Sequence, residues 1–146
     1  MIIVGDNLKY LIKQYNLVND YEAFDHTSIA LKLDEKIIRM KTDENTVLEY
    51  GKEIPQEMVI EETINDKGLL LKPKETVLAC SKEIISMPTG YFGFIQTKGT
   101  LARFFITVHC CDAQVDPGYE GKLTFEICNF GNVAVKIRPG TLVFCT

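Results

Sequence analysis

The feature that most restricts how this chain can fold is its punctuation. From Ser28 onward, short apolar runs are interrupted by turn formers: Asp66-Lys67-Gly68, Pro73-Lys74, Pro88-Thr89-Gly90, Pro117-Gly118, Asn129-Phe130-Gly131-Asn132 and Pro139-Gly140. The runs between them are too short for packed helices, and several alternate apolar with polar residues as half-buried strands do. Strands are therefore expected around Ser28–Leu33, Lys36–Met40, Thr46–Tyr50, Met58–Glu61, Leu69–Leu71, Thr76–Cys80, Tyr91–Thr97, Phe104–Cys110, Lys122–Asn129, Val133–Ile137 and Thr141–Phe144. Many short strands joined by regular turns imply a sandwich, jelly roll or barrel. Only the start departs from this pattern. Leu8, Leu11, Ile12 and Tyr15 follow helical spacing, so a short amphipathic helix is predicted there, with Asp6 as its N-cap and Asn19 beyond its end.

At 146 residues the chain has the length of one domain, and no repeat or linker divides residues 1–146. Its apolar runs fall short of the roughly 20 residues a membrane helix needs, and Gly5 and Asp6 interrupt the N-terminal stretch where a secretion signal would be apolar. A cytoplasmic protein without a membrane partner is expected. A formal net charge of −4, without a Lys/Arg stripe, argues against a phosphate-tracking nucleic-acid binder. Five cysteines, Cys80, Cys110, Cys111, Cys128 and Cys145, lie scattered in apolar segments and read as reduced core thiols. His109-Cys110-Cys111 is no zinc site on this reading, because neighbours on a strand face opposite ways and no further Cys/His pair completes a tetrahedron.

Two places carry candidate chemistry. In Asp116-Pro117-Gly118-Tyr119 the proline presets its own φ and the glycine allows a positive one, so the turn can present Asp116 and Tyr119 to a ligand at low ordering cost. An ordinary turn with a packing tyrosine has the same sequence. Further on, Leu123, Phe125 and Ile127 share one strand face and Lys122, Thr124, Glu126 and Cys128 the other. Glu126 is then either part of a solvated face or a proton-transfer group.

From Leu71 to Phe144 the chain resembles the dCTP deaminase branch of the trimeric dUTPase superfamily. Four segments carry the likeness in order: LKPKETVLACSKEIISMP, KGTLAR, VDPGYEGKLTFEICNFG and IRPGTLVF. The N-terminal helix and TSIALKL are compatible with the family's start. The resemblance implies a mostly β, dUTPase-like distorted barrel or jelly roll with a short N-terminal helix, assembled as a homotrimer with sites shared between subunits. It implies hydrolysis of dCTP to dUTP and ammonia. Glu126 would be the general acid/base, because the dUTPase branch has an aliphatic residue there and the deaminase branch a glutamate. Arg103 would orient Glu126 and stabilise charge at the attacked carbon. Lys98, Gly99, Thr100, Leu101, Ala102 and Arg103 match the family's Arg-Ser-Ser-Leu-x-Arg motif and, with Thr124, Phe125 and Glu126, would bind the nucleotide. Asp116 would meet the 3′-hydroxyl, and Tyr119 would occupy the place of a ribose 2′-hydroxyl. Mg²⁺ would arrive on the triphosphate, and no zinc is expected, since His-x-Glu and Pro-Cys-x-x-Cys are absent. Two departures stand out. Gly99 replaces a serine that helps hold the reacting water, and the chain, ending at Thr146, lacks the family's C-terminal lid. The alternatives are a dUTP diphosphatase, with Asp116 directing water at the phosphate, and a catalytically silent deoxynucleotide-binding regulator.

Overall fold

Turn-rich sequence becomes antiparallel sheet almost throughout the computed structural model, which describes residues 1–41, 46–110 and 112–145. The elements run α1 (Gly5–Tyr15), β1 (Phe24–Asp25), β2 (Ser28–Met40), β3 (Val59–Thr63), β4 (Leu69–Leu71), β5 (Thr76–Ser81), β6 (Ile85–Ser86), β7 (Gly93–Phe94), β8 (Gln96–Thr97), α2 (Gly99–Ala102), β9 (Ile106–Thr107), β10 (Gln114–Val115), β11 (Glu120–Gly121), β12 (Thr124–Asn129), β13 (Val135–Ile137) and β14 (Leu142–Cys145). The main sheet has the order β8-β14-β2-β5-β12-β9, with β1 and β3 also on β2. Three small ribbons, β4–β13, β6–β11 and β7–β10, complete a curled, mostly β architecture.

Strand β2 organises this curl. The runs Ser28–Leu33 and Lys36–Met40, expected as separate strands, are one strand whose register against β5 slips between Leu33 and Ile37. Such a bulge bends a strand and sharpens its twist. The first half of β2 thereby pairs with β14, and its last residues pair with β3. Inside the curl lies a core with Leu31, Leu33, Leu71, Val108, Phe125, Ile127 and Val143 fully buried. The alternation in β5 sends Val77, Ala79 and Ser81 inward, and that in β12 sends Phe125 and Ile127 inward. Each large side chain so buried is worth about 1.5–3 kcal/mol. Helix α1 contributes Leu8 and Ile12 to the same core and ends on Asn16 in the left-handed conformation.

Several expectations change here. Asp6 is not the N-cap: the helix begins two residues earlier than expected, at Gly5, Val4 precedes it in extended conformation, and Asp6 sits in the first turn, where a negative charge suits the helix dipole. Thr46–Tyr50 forms no strand, and Val47 and Tyr50 are exposed, because no described strand pairs with it. Tyr91–Thr97 breaks into β7 and β8, which pair with different partners, β10 and β14. Of Phe104–Cys110 only Ile106–Thr107 is strand, since the preceding residues close the α2 turn and Phe105 has a left-handed φ of 58°. Cys110, expected in the core, is exposed, whereas Cys128 is buried and Cys80 half-buried; Cys111 and the Cys145 side chain lie outside the described residues.

Candidate active site

Glu126 lies at the middle of β12, with Leu78 of β5 as its neighbour on one side. On the other side its N–H donates to the Val108 carbonyl at 2.9 Å. Its side chain is half-buried, and its Oε2 accepts a 2.9 Å hydrogen bond from the Cys110 N–H. A carboxylate gripped by a main-chain donor keeps one orientation, which a proton-transfer group needs. The Cys110 amide is the partner that sequence reasoning missed. No side-chain pattern announces a backbone donor 16 residues away.

A short relay joins the main chain of Glu126, through Val108, to the Lys98–Arg103 segment. Thr97, at the end of β8, accepts from the Val108 N–H through Oγ1 at 3.0 Å, and Lys98 donates its own N–H to Val143. The Lys98 carbonyl then accepts from Leu101 and Ala102, starting the single turn α2. Gly99, Thr100, Ala102 and Arg103 are exposed on that turn, while Leu101 is buried beneath it. The Lys98 ammonium stands 3.7 Å from the Asp25 carboxylate. Arg103 makes no ion pair with any described residue, so one chain does not bring it onto Glu126. A Cβ at Gly99 would meet nothing within 4 Å, and its φ is not left-handed, so no steric demand accounts for glycine there.

The Asp116–Tyr119 turn is assembled separately, against the loop after β6. Gly118 donates to the Met87 carbonyl at 3.0 Å, Met87 donates to the Tyr119 carbonyl at 2.8 Å, and Gly118 has the positive φ, 81°, that the turn requires. Asp116 is exposed. The Tyr119 ring packs on the core edge, and its hydroxyl donates to the Lys122 carbonyl, so the ring is held as a rigid shelf. Just beyond, the Lys122 ammonium lies 2.6 Å from Asp34. Burial would push the Asp34 carboxyl up, but the Lys122 ammonium and the Glu35 N–H outweigh it and hold the pKa below its ordinary value. The hydrogen bond to Asp34 raises that of Lys122. The partial burial of Cys80, and then the Asp34 carboxylate beside it, push its thiol up.

Thr124 is exposed and borders an open groove of about 630 Å³ with Leu78, Cys80, Lys36 and Glu61. Neither Glu126, Arg103 nor Asp116 lines that groove. Phe125 is fully buried, so only its main chain can reach a ligand. Within one chain, then, the expected site residues form two groups along β12, one around Glu126 and the Lys98 turn, the other around Tyr119.

A family model described as dCTP deaminase-like matches residues 2–144. The chain belongs to the dCTP deaminase-like family. Among similar proteins, a dCTP deaminase of Staphylothermus marinus is 27% identical, over 89% of this chain and 74% of that one. A protein of Dictyoglomus turgidum named dCTP deaminase, dUMP-forming, is 27% identical over 96% of this chain and 75% of its own. The crystal structure of 2′-deoxycytidine 5′-triphosphate deaminase from Agrobacterium tumefaciens superposes with a TM-score of 0.73 at 16% identity. It covers 99% of this deaminase-like chain, which spans 46% of the length of that one, and the likeness establishes the shared fold.

Proposed function

We propose that the protein is a dCTP deaminase, taking magnesium-bound dCTP and water to dUTP and ammonia at sites shared between the subunits of a homotrimer. The observation that carries this reading is Glu126: a half-buried carboxylate on the strand centre of a deaminase-like chain, oriented by the Cys110 N–H. In the proposed reaction Glu126 takes a proton from water as the oxygen attacks C4 of cytosine and passes it to the ring nitrogen, then takes the proton of the new C4 hydroxyl and delivers it to the departing amine. Atoms balance: the water oxygen becomes the uracil carbonyl and the amino group leaves as ammonia. Asp116 would bind the 3′-hydroxyl and the Tyr119 shelf would exclude a 2′-hydroxyl. Lys98, Thr100 and the α2 turn would receive the triphosphate, and Thr124 would face the nucleotide.

Arg103 has no ion-pair partner among the described residues, and the groove beside Thr124 takes in neither Glu126 nor Asp116, which supports a site completed by a neighbouring subunit. Phe104, Phe105 and Phe130, all exposed, offer such a neighbour apolar surface.

A second reading is suggested by the Dictyoglomus relative: deamination followed by release of pyrophosphate, giving dUMP. One assay separates the possibilities. The protein is incubated with Mg²⁺ and dCTP or dUTP, and ammonia and pyrophosphate are followed separately. Ammonia alone from dCTP supports the leading reading, and ammonia with equal pyrophosphate supports the dUMP-forming one. Pyrophosphate from dUTP without ammonia from dCTP overturns both in favour of a diphosphatase. Binding of dCTP without either product identifies a silent nucleotide-binding homologue. A monomer in light scattering at micromolar concentration would refute the shared site.

A further inference from the structure

Two thiols meet beside Glu126. The Sγ atoms of Cys110 and Cys128 lie 3.6 Å apart, both residues are reduced, and both bond to the same glutamate: Cys110 through its N–H to Oε2, Cys128 through its S–H to the main-chain oxygen at 3.5 Å. We infer that Cys110 and Cys128 are an oxidation site, closing a reversible disulfide that withdraws the Cys110 N–H from the Glu126 carboxylate.

The two partners differ in a way that suits stepwise exchange. Cys110 is exposed and lies past the end of β9, outside any strand ladder, whereas Cys128 is 3% exposed and held in β12 between Thr76 and Thr107. A disulfide needs its sulfurs at about 2.05 Å, so oxidation must draw them together by roughly 1.5 Å. The strand residue is fixed on both sides, and the displacement falls on Cys110. Its amide is the one that orients Glu126, so closing the bond disturbs the carboxylate directly.

The chemistry requires a small disulfide as oxidant, and glutathione disulfide is the probe. The Cys110 thiolate attacks one glutathione sulfur, forming a mixed disulfide and expelling one glutathione thiolate. The Cys128 sulfur, losing its proton, then attacks Cys110 Sγ and expels the second. Two protons and two electrons pass from the protein thiols to glutathione disulfide, which becomes two glutathione thiols. Dithiothreitol reverses the change.

The consequence for activity rests on the proposed deaminase reading, but the disulfide and its effect on the amide do not. The full chain is equilibrated in glutathione buffers from reducing to oxidising, quenched with acid, alkylated and mapped by peptide mass spectrometry. The exchange rate of the Cys110 amide is followed by NMR in the same samples. The expected result is a Cys110–Cys128 linkage, absent in Cys110→Ser and in Cys128→Ser, with amide exchange at least tenfold faster in the oxidised form and restored by dithiothreitol. Thiols that stay reduced under glutathione disulfide, a linkage mapped to another cysteine pair, or a linkage that leaves the Cys110 amide exchanging as before would each overturn the inference. Ammonia release from dCTP, measured on reduced and oxidised samples of each variant against its own reduced form, is expected to fall at least tenfold only where the linkage forms. Absence of turnover in the reduced wild type would count against the deaminase reading and leave the mapping and exchange results to decide the oxidation site.

Discussion

Replacing Glu126 by glutamine separates chemistry from structure. Glutamine has nearly the same volume, and its carbonyl oxygen can accept from the Cys110 N–H at the place where Oε2 now does at 2.9 Å. A hydrogen bond to a charged group is worth about 1.5–3 kcal/mol and a neutral one about 0.5–1.5, so the exchange should cost about 1 kcal/mol in stability, less because the side chain is only half-buried. The substituted group, however, cannot take a proton from water. Losing a general acid/base slows a reaction by about 10²–10⁴-fold, which at 1.36 kcal/mol per factor of ten is about 2.7–5.4 kcal/mol of transition-state stabilisation. Urea unfolding, calorimetric dCTP binding and single-turnover ammonia release on Glu126→Gln should therefore give a near-normal midpoint, near-normal affinity and a large drop in rate. Both kcat and kcat/KM should fall together, as they do when an interaction made only in the transition state is removed. Thr124→Val, altering the exposed neighbour on the same face, should have a smaller effect on rate. A Glu126→Gln protein that deaminates as fast as wild type would refute the assignment, and one destabilised by several kcal/mol would show that the carboxylate serves the fold.

Gly99→Ser should fold as wild type, with stability within about 0.5 kcal/mol, because its Cβ meets nothing within 4 Å; the added hydroxyl should raise turnover, and a lower rate would show that it has no place for the reacting water. Tyr119→Phe loses only the bond to the Lys122 carbonyl, about 1 kcal/mol, and should still prefer dCTP to CTP, whereas Tyr119→Ala should bind the two comparably; retained preference in the alanine variant, read by calorimetry, would remove Tyr119 from the sugar site. The Asp34–Lys122 pair predicts a pH profile. Asp34 is held below its unfolded pKa of about 3.9, so its contribution is complete above that pH and is lost as the pH falls through the lower folded value; Lys122 is raised above about 10.4, so its contribution is lost as the pH rises through the higher folded value. In Lys122→Met the midpoint of urea unfolding should fall at neutral pH, and its decline below the unfolded Asp34 value should be shallower than in wild type, so that the two profiles converge in acid; superimposable profiles would mean that the pair contributes nothing.

Much of the fold was legible because a half-buried strand writes its burial into its own sequence. Leu69–Leu71, Thr76–Ser81 and Thr124–Asn129 lie within a residue or two of where alternation and turn signals put them. Motif order along the chain was likewise local information, and the family match over residues 2–144 bears it out. Less legible were segments whose state depends on a partner. Thr46–Tyr50 has strand composition and no described strand beside it, while Ile85–Ser86 and Glu120–Gly121, with no pattern of their own, become strands by pairing with each other.

The sequence by itself determined the fold class, the placing of Glu126 on a strand face opposite Phe125 and Ile127, and the preset turn at Asp116–Tyr119, since each follows from backbone geometry within a few residues. Only the tertiary structure decided what those residues touch. Asn129, a polar residue at a strand end, proves to be buried, donating to the Leu71 and Val133 carbonyls and accepting from the Gly131 N–H. Asp34 meets Lys122 from 88 residues away, Cys110 brings its amide to Glu126 and its sulfur to Cys128, and Arg103 finds no ion-pair partner among the described residues. Contacts of this kind depend on strand register and on the slip in β2 between Leu33 and Ile37, which settles which faces the curled sheet turns toward each other. Register is a property of paired strands, and one strand read alone does not contain it.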